Sequence, residues 1–191
     1  MTRILQGNLN RCALAQNLLR QRVFEDKIDI CFICEQHLNL HDRTWFADET
    51  GTAAIWIVNT KNITANTSES EAGFVWIQTP TTYFMSVYSS SNEGISVFRQ
   101  KQANIEDTIA NFNGEVILAV DFNAKSAEWG AAFSDTRGNE VAARLDLIIL
   151  NTGGITTLRR PGYQESILDI SLAKDCQHDR RLDCIRRMQW Q

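Results

Sequence analysis

Two prolines in 191 residues leave no Pro-rich linker, and no internal repeat or low-complexity tract interrupts the chain, so it reads as a single domain over residues 1–191. No apolar run approaches the length of a bilayer crossing, and no basic segment followed by an apolar one opens the sequence. The five cysteines are odd in number and irregularly spaced, which excludes a disulfide framework. The expectation is an intracellular protein with reduced thiols and no membrane partner. Basic charge is short as well: 19 Lys and Arg stand against 23 Asp and Glu, for a formal net charge of −4. That balance argues against a nonspecific nucleic-acid coat, which gains affinity by displacing counterions from phosphate. It leaves room for an acidic site that meets phosphate through a divalent cation.

What is present is a regular succession of short apolar segments and amphipathic ones. Ile4 to Leu9 reads as a first strand, and Leu14, Ala15, Leu18, Leu19 and Val23 then recur at helical spacing behind a cap at Asn10. Ile28 to Cys34 is a second strand running into Glu35. Thr52–Asn59, Gly73–Gln78 and Tyr83–Tyr88 follow as an antiparallel patch, with "NTKNITANTSESEAG" a loop or hairpin tip by composition. Ile95, Phe98, Ile105, Ile109 and Phe112 share one face of a helix. Glu115 to Val120 is an apolar strand, Val141 to Leu150 a second amphipathic helix stopped by Asn151, Gly153 and Gly154, and Ile167 to Leu172 the last strand. The order implies an α/β fold of two packed mixed sheets with helices outside.

Several of these strands end in polar groups: Asn8, Glu35, Asp121 with Asn123, and Asp169. Each alone has an ordinary explanation, since Asn and Asp after a strand form turns by bonding the backbone two residues on. As a set at the ends of buried strands, where open sheets place their ligands, they offer the oxygen-rich surroundings that Mg²⁺ takes.

"VDFNAKSAEWG", followed by "DTRGNEVAARLDLIILNTGG", "TLRRPG" and "SILDISLA", resembles the endonuclease domain of non-LTR retrotransposons, of the endonuclease/exonuclease/phosphatase superfamily. "ILQGNLNRCALAQNLL" and "DICFICEQ" fit the same family in the same order. The resemblance implies a four-layer α/β sandwich with its site where two sheets face each other, and a DNA endonuclease that requires Mg²⁺, with Mn²⁺ as the alternative. It further implies double-stranded DNA as partner, a nuclear location, and a reverse transcriptase domain in the longer polyprotein of intact relatives. Glu35 matches the family's metal-binding glutamate and Asn8 the asparagine beside it. Asp121 matches the aspartate that orients or deprotonates the attacking water, Asn123 the amide that steadies the scissile phosphate, and Tyr88 a tyrosine close to that phosphate. Asp169 matches the acid that pairs with a catalytic histidine. Arg159 and Arg160 form a basic loop that either touches the DNA backbone or is merely solvated.

Two positions depart from the family pattern. Val120 replaces a glycine before the aspartate and is expected to crowd the floor of the site if the backbone there needs glycine's freedom. Where the family closes with Ser-Asp-His, this sequence has "RRLDCIRRMQWQ". From that we expect weakened nicking and a tendency to aggregate, with His37, His41 and His178 as surface residues. The rivals are an inactive retroelement fragment kept as a binding module and a phosphatase of the same superfamily. Cys31 and Cys34 have the spacing of half a zinc site, but within a strand an offset of three points the thiols to opposite faces, so they read as core. Trp45, Trp56, Trp76, Trp129 and Trp190 offer stacking surfaces for bases, with Trp56 and Trp76 assigned to the core.

Overall fold

The computed structural model describes residues 2–144, 148–150, 169–174 and 185–187. Two mixed sheets lie face to face. The first has the order β11 (Ile185–Arg187), β1 (Ile4–Asn8), β2 (Ile30–Cys34), β4 (Ala53–Ile57) and β3 (Trp45–Ala47). The second runs β5 (Thr67–Glu71), β6 (Phe74–Gln78), β7 (Thr82–Tyr88), β8 (Glu115–Asp121), β10 (Asp169–Lys174) and β9 (Ile148–Ile149). β1 and β2 are parallel, as are β7 and β8, so each pair carries its carboxyl ends to one edge of its sheet, and a bond between Asn8 and Asp121 brings the ends of β1 and β8 together.

The alternation of side chains along each strand explains why these segments are apolar throughout. In β2, Ile30 and Phe32 point between the sheets, where they meet Ile55, Val75, Phe84 and Ile117, while Cys31 and Ile33 point outward to Leu19 and Val23 of α1 (Ala13–Glu25). Phe32 and Phe84 pack ring against ring across the interface, centroids 6.1 Å apart. In the second sheet Met85, Val87, Leu118 and Val120 face outward to α2 (Ile95–Ala110) and α3 (Thr136–Arg144) through Phe98, Ile105, Ile109 and Val141. Helix, sheet, sheet and helices make the four layers of an α/β sandwich. No helix among the described residues is long and apolar enough to cross a membrane.

Several local expectations are corrected. The three middle strands are not one patch: β4 belongs to the first sheet and β6 and β7 to the second, because apolar strands with short connections can cross between facing layers as readily as pair. The polar "TSESE" within the supposed loop is strand β5, an edge strand whose side chains are mostly exposed and whose backbone pairs with β6. β3, Trp45–Ala47, lies in a stretch to which the sequence pattern assigns no strand. In α1 the buried residues are Ala15, Gln16, Leu19 and Val23, while Leu14 and Leu18 face solvent; Cys12 takes the cap position without a side-chain bond, and Asn10 sits at φ +48° instead. Helix α3 starts earlier than the apolar periodicity suggests and ends at Arg144, and Ile148–Ile149 is a strand. Phe112 is buried but lies beyond the end of α2. Asn151, Gly153, Gly154, Arg159, Arg160, His178 and Trp190 lie outside the described residues. Trp45, Trp76 and Trp129 are buried and Trp56 is half-buried, so none of these offers an open stacking face. Cys31 and Cys34 are both buried, and burial pushes the Cys31 thiol far above its ordinary range.

Candidate active site

The sandwich brings the strand ends together along one rim. β1 ends at Asn8, opposite Cys34 of β2, and Glu35 follows directly. In the other sheet Asp121 of β8 is paired on one side with Tyr88 of β7 and on the other with Asp169 of β10. The two groups meet through one amide. Asn8 Nδ2 donates to Glu35 Oε2 at 2.9 Å and to Asp121 Oδ2 at 2.8 Å, so the two carboxylate oxygens are no further apart than those two bonds laid end to end. Asn8 Oδ1 accepts the N–H of Asn10 at 2.7 Å, which fixes which end of the amide faces the acids.

Glu35 and Asn123 both leave their strands in the left-handed region, at φ +49° and +48°. For glutamate this is a costly conformation, held only where neighbours over-determine it. Here the Glu35 N–H donates to Thr52 O at 2.8 Å and its carbonyl accepts from the Arg11 N–H at 2.7 Å. Asp121 Oδ1 accepts the Asn123 N–H at 3.2 Å, and Asn123 Nδ2 donates to Ser89 O at 3.0 Å. Asp121 is buried, Asn123 and Glu35 are half-buried, so the cluster has a covered floor and an accessible mouth.

Tyr88 is buried beside the acids. Desolvation, then the charge of Glu35 and a hydrogen bond with it, then the charge of Asp121, push its phenol well above the ordinary value, against a smaller opposing hydrogen bond with Ser90. The hydroxyl therefore stays protonated and serves as a donor at neutral pH. A faint ion pair joins Arg11 Nε to Glu35 Oε1 at 4.0 Å, but Arg11 is largely exposed and contributes little to holding the acid.

Val120 does not crowd the site. It is an ordinary strand residue, fully buried, and its side chain packs outward under the helices of the second sheet, away from the facing layer. Asp169 adjoins Asp121 by register. His37 is exposed, with a ring nitrogen 3.1 Å from Arg11 O, and His41 is exposed; the hydrogen bonds that join Asn8, Glu35, Asp121 and Asn123 involve neither.

Sequence reasoning missed the support beneath this cluster. Gln6, buried two residues before Asn8 on the same face of β1, donates through Nε2 to Val120 O at 3.2 Å and Ile170 O at 3.5 Å, and its Oε1 accepts from Ser171 Oγ at 2.9 Å. These bonds tie the first sheet to β8 and β10 one rung below the acids. An amide within the otherwise apolar "ILQGN" was the signal. Lys101 of α2 adds a half-buried cation under the rim, donating to Tyr88 O at 3.0 Å and Glu93 Oε1 at 2.6 Å.

Chemically, the ligand set is the two carboxylates of Glu35 and Asp121; the Asn8 amide between them presents N–H to both and sets their spacing. Among the described residues no group of three or more His, Cys, Asp and Glu forms a ready metal cage. Mg²⁺ requires none: it takes one or two protein carboxylates and keeps several waters, and the Glu35 and Asp121 carboxylates brought together on one amide fit that demand.

Comparison with known proteins places this geometry. No curated protein matches the chain in sequence. Among solved structures it is similar to the endonuclease domain of TRAS1, a telomere-specific non-LTR retrotransposon, at 25% identity and a TM-score of 0.72 over 92% of this chain and 86% of that one. It shares the fold of a β-hairpin deletion mutant of beta toxin from Staphylococcus aureus, at 11% identity and a TM-score of 0.68 over 100% and 92% of the two chains. A 3′ phosphatase, NExo from Neisseria bound to product DNA hairpin, has the same fold at 12% identity and a TM-score of 0.67 over 92% and 87%. The family model described as endonuclease-reverse transcriptase matches residues 82–189, more than half of the chain, from the start of β7 through β8 and its polar end to β11. With the two sheets, their layered helices and the acid pair at the rim, that match makes this chain a member of the endonuclease-reverse transcriptase family, a nuclease-type enzyme domain of the endonuclease/exonuclease/phosphatase fold.

Proposed function

We propose that the chain hydrolyses a phosphodiester of double-stranded DNA in a Mg²⁺-dependent reaction, with Mn²⁺ as a substitute, nicking a target strand so that a reverse transcriptase can prime on the exposed 3′ hydroxyl. The observation that carries the reading is the Asn8 amide clamped between Glu35 and Asp121 from opposite sheets. Glu35 and Asp121, whose spacing Asn8 sets by donating to both, are the residues that would hold the cation. When bound, it offsets the negative charge of the phosphate.

The remaining work falls to side chains. Asp121, fixed by Asn8 and by the Asn123 N–H, orients the attacking water and takes its proton. Asn123, tethered through Nδ2 to Ser89 O, steadies the phosphate from the half-buried side of the site, and the neutral Tyr88 hydroxyl supplies a donor beside it. Asp169, adjoining Asp121 in register, is the position for an acid that orients a further proton donor. Arg159 and Arg160 are assigned to backbone contacts with DNA.

The test is nicking of supercoiled plasmid with Mg²⁺, Mn²⁺ or EDTA, with p-nitrophenyl phosphate as a small-ester control. Relaxed circles should form only with metal, and the control ester should be untouched. Asp121→Asn should lower the rate by about a thousandfold or more while melting like the parent, because it removes a base and a charge but no volume. Nicking in EDTA, or undiminished nicking by Asp121→Asn, would refute the reading.

A further inference from the structure

The sequence Asp135-Thr136-Arg137-Gly138 opens α3 and takes no part in the chemistry above, yet it is wired into both loops that carry the site. Asp135 Oδ2 accepts the Lys125 N–H at 3.1 Å, and its own N–H donates to Lys125 O at 2.9 Å. Its Oδ1 accepts the Gly138 N–H at 2.7 Å. Gly138 is pressed so closely on this loop that a Cβ there would stand 1.8 Å from Lys125 O, which only glycine permits.

Seated this way, Arg137 spends its guanidinium on main-chain carbonyls. Nη1 donates to Ser90 O at 2.8 Å and to Phe122 O at 3.4 Å, and Nη2 donates to Glu93 O. The Phe98 ring covers the group, 4.8 Å from the guanidinium carbon. Among the described residues no carboxylate lies within ion-pair distance of it, and its hydrogen bonds there go to carbonyl oxygens. Ser90 and Glu93 belong to the loop after β7, Phe122 to the loop after β8. Those two loops also meet at Ser89, whose N–H donates to Asp121 O at 2.9 Å and whose carbonyl accepts from Asn123. Asn123 thus stands between Phe122 and Lys125, each held from α3, in a left-handed conformation it must be made to keep.

We propose that Arg137 is a positioning residue that joins the loops after β7 and β8 and so fixes Asn123 relative to Asp121; this rests on the assignment of that side chain to the phosphate site. Arginine suits the role because its planar fork reaches several carbonyls at once, whereas a lysine ammonium reaches from a single point.

Hydrogen exchange followed by mass spectrometry on the full chain, for the parent, Arg137→Lys and Arg137→Ala, is to be paired with plasmid nicking on the same samples. Residues 89–93 and 122–126 should exchange at least about tenfold faster in both variants, with strand amides of β7 and β8 unchanged. The kcat should fall by about a hundredfold with KM for DNA little altered, as a misplaced rather than a missing contact predicts. Unchanged loop exchange overturns the proposal, as does faster exchange throughout the sheet, or loosened loops with parental kcat. Should Arg137→Ala fail to fold, Arg137→Lys decides. Absence of metal-dependent nicking by the parent counts against the endonuclease reading instead, and loop exchange alone then decides whether Arg137 holds Asn123.

Discussion

Asp48 lies outside the site, yet the perturbation Asp48→Asn should be among the most damaging isosteric changes available. It is buried between β3 and β4, and its two oxygens collect donors from two segments, the turn 50–53 and Gly73. Oδ1 accepts from Thr52 N at 2.5 Å and Ala53 N at 2.7 Å; Oδ2 accepts from Thr50 N at 3.0 Å, Gly73 N at 2.9 Å and the hydroxyls of Thr50 and Thr52. Burial pushes its carboxyl up, but the hydrogen bonds from Ala53, Thr50, Gly73 and Thr52 prevail and hold it below its ordinary value. Whichever oxygen an asparagine replaces with NH₂, two backbone N–H groups face a donor. At about 1–3 kcal/mol for each unsatisfied group, the loss is about 2–6 kcal/mol. That is a large share of a typical domain's stability. A depressed pKa also fixes the pH dependence. The contribution is fully present above the unfolded carboxyl value near 3.9 and is lost as pH falls through the folded one. Urea unfolding of parent and variant should therefore show the full gap at pH 7 and a narrower one near pH 3, where the unfolded carboxyl is largely protonated. A gap that is equal at both pH values, or under about 1 kcal/mol at pH 7, would refute the ledger of donors. Because Thr52 O also accepts the Glu35 N–H, nicking should suffer along with stability.

Tyr88→Phe should slow nicking about tenfold without moving the pH profile below pH 9, since the phenol is already neutral there. Its raised pKa makes a stability contribution that is present below the unfolded value near 10 and is lost as pH rises through the folded one, so the variant should lose less stability than the parent on going from pH 8 to pH 11; an equal loss in thermal melts would contradict the assigned burial. Gln6→Leu should cost about 1–3 kcal/mol in urea by removing the amide that bonds Ser171 Oγ, Val120 O and Ile170 O across the sheets, and the double variant with Ser171→Ala should lose less than the two single losses summed; additive losses would show that the bridge does not couple the two residues.

Much of the site was legible as residue types. Asn8, Glu35, Tyr88, Asp121 and Asn123 were each found from a strand end or a motif, because a short apolar run fixes where a strand stops and the polar residue after it is then placed at an edge. Their joining was not legible. Nothing local indicates that Glu35 adopts φ +49°, or that one amide spans two acids 113 and 27 residues away from it in the chain. The supports were less visible still. Gln6 resembles an interruption of a strand, and Arg137 a solvated helix residue, until the carbonyls around them are brought in from distant segments.

By itself, then, the sequence determined the apolar strands, the helix α2 and the polar groups at strand ends, since these follow from side-chain period and from the solvation of each residue with its neighbours. Tertiary structure decided which strands share a sheet, that "TSESE" pairs as an edge, that Leu14 and Leu18 of α1 face water, and that Val120 packs away from the site. The physical reason is that these outcomes turn on long-range burial and backbone pairing. A strand carries the same alternation whichever neighbour it acquires, and only the packed sandwich sets which face is covered and which carboxylates share a proton donor.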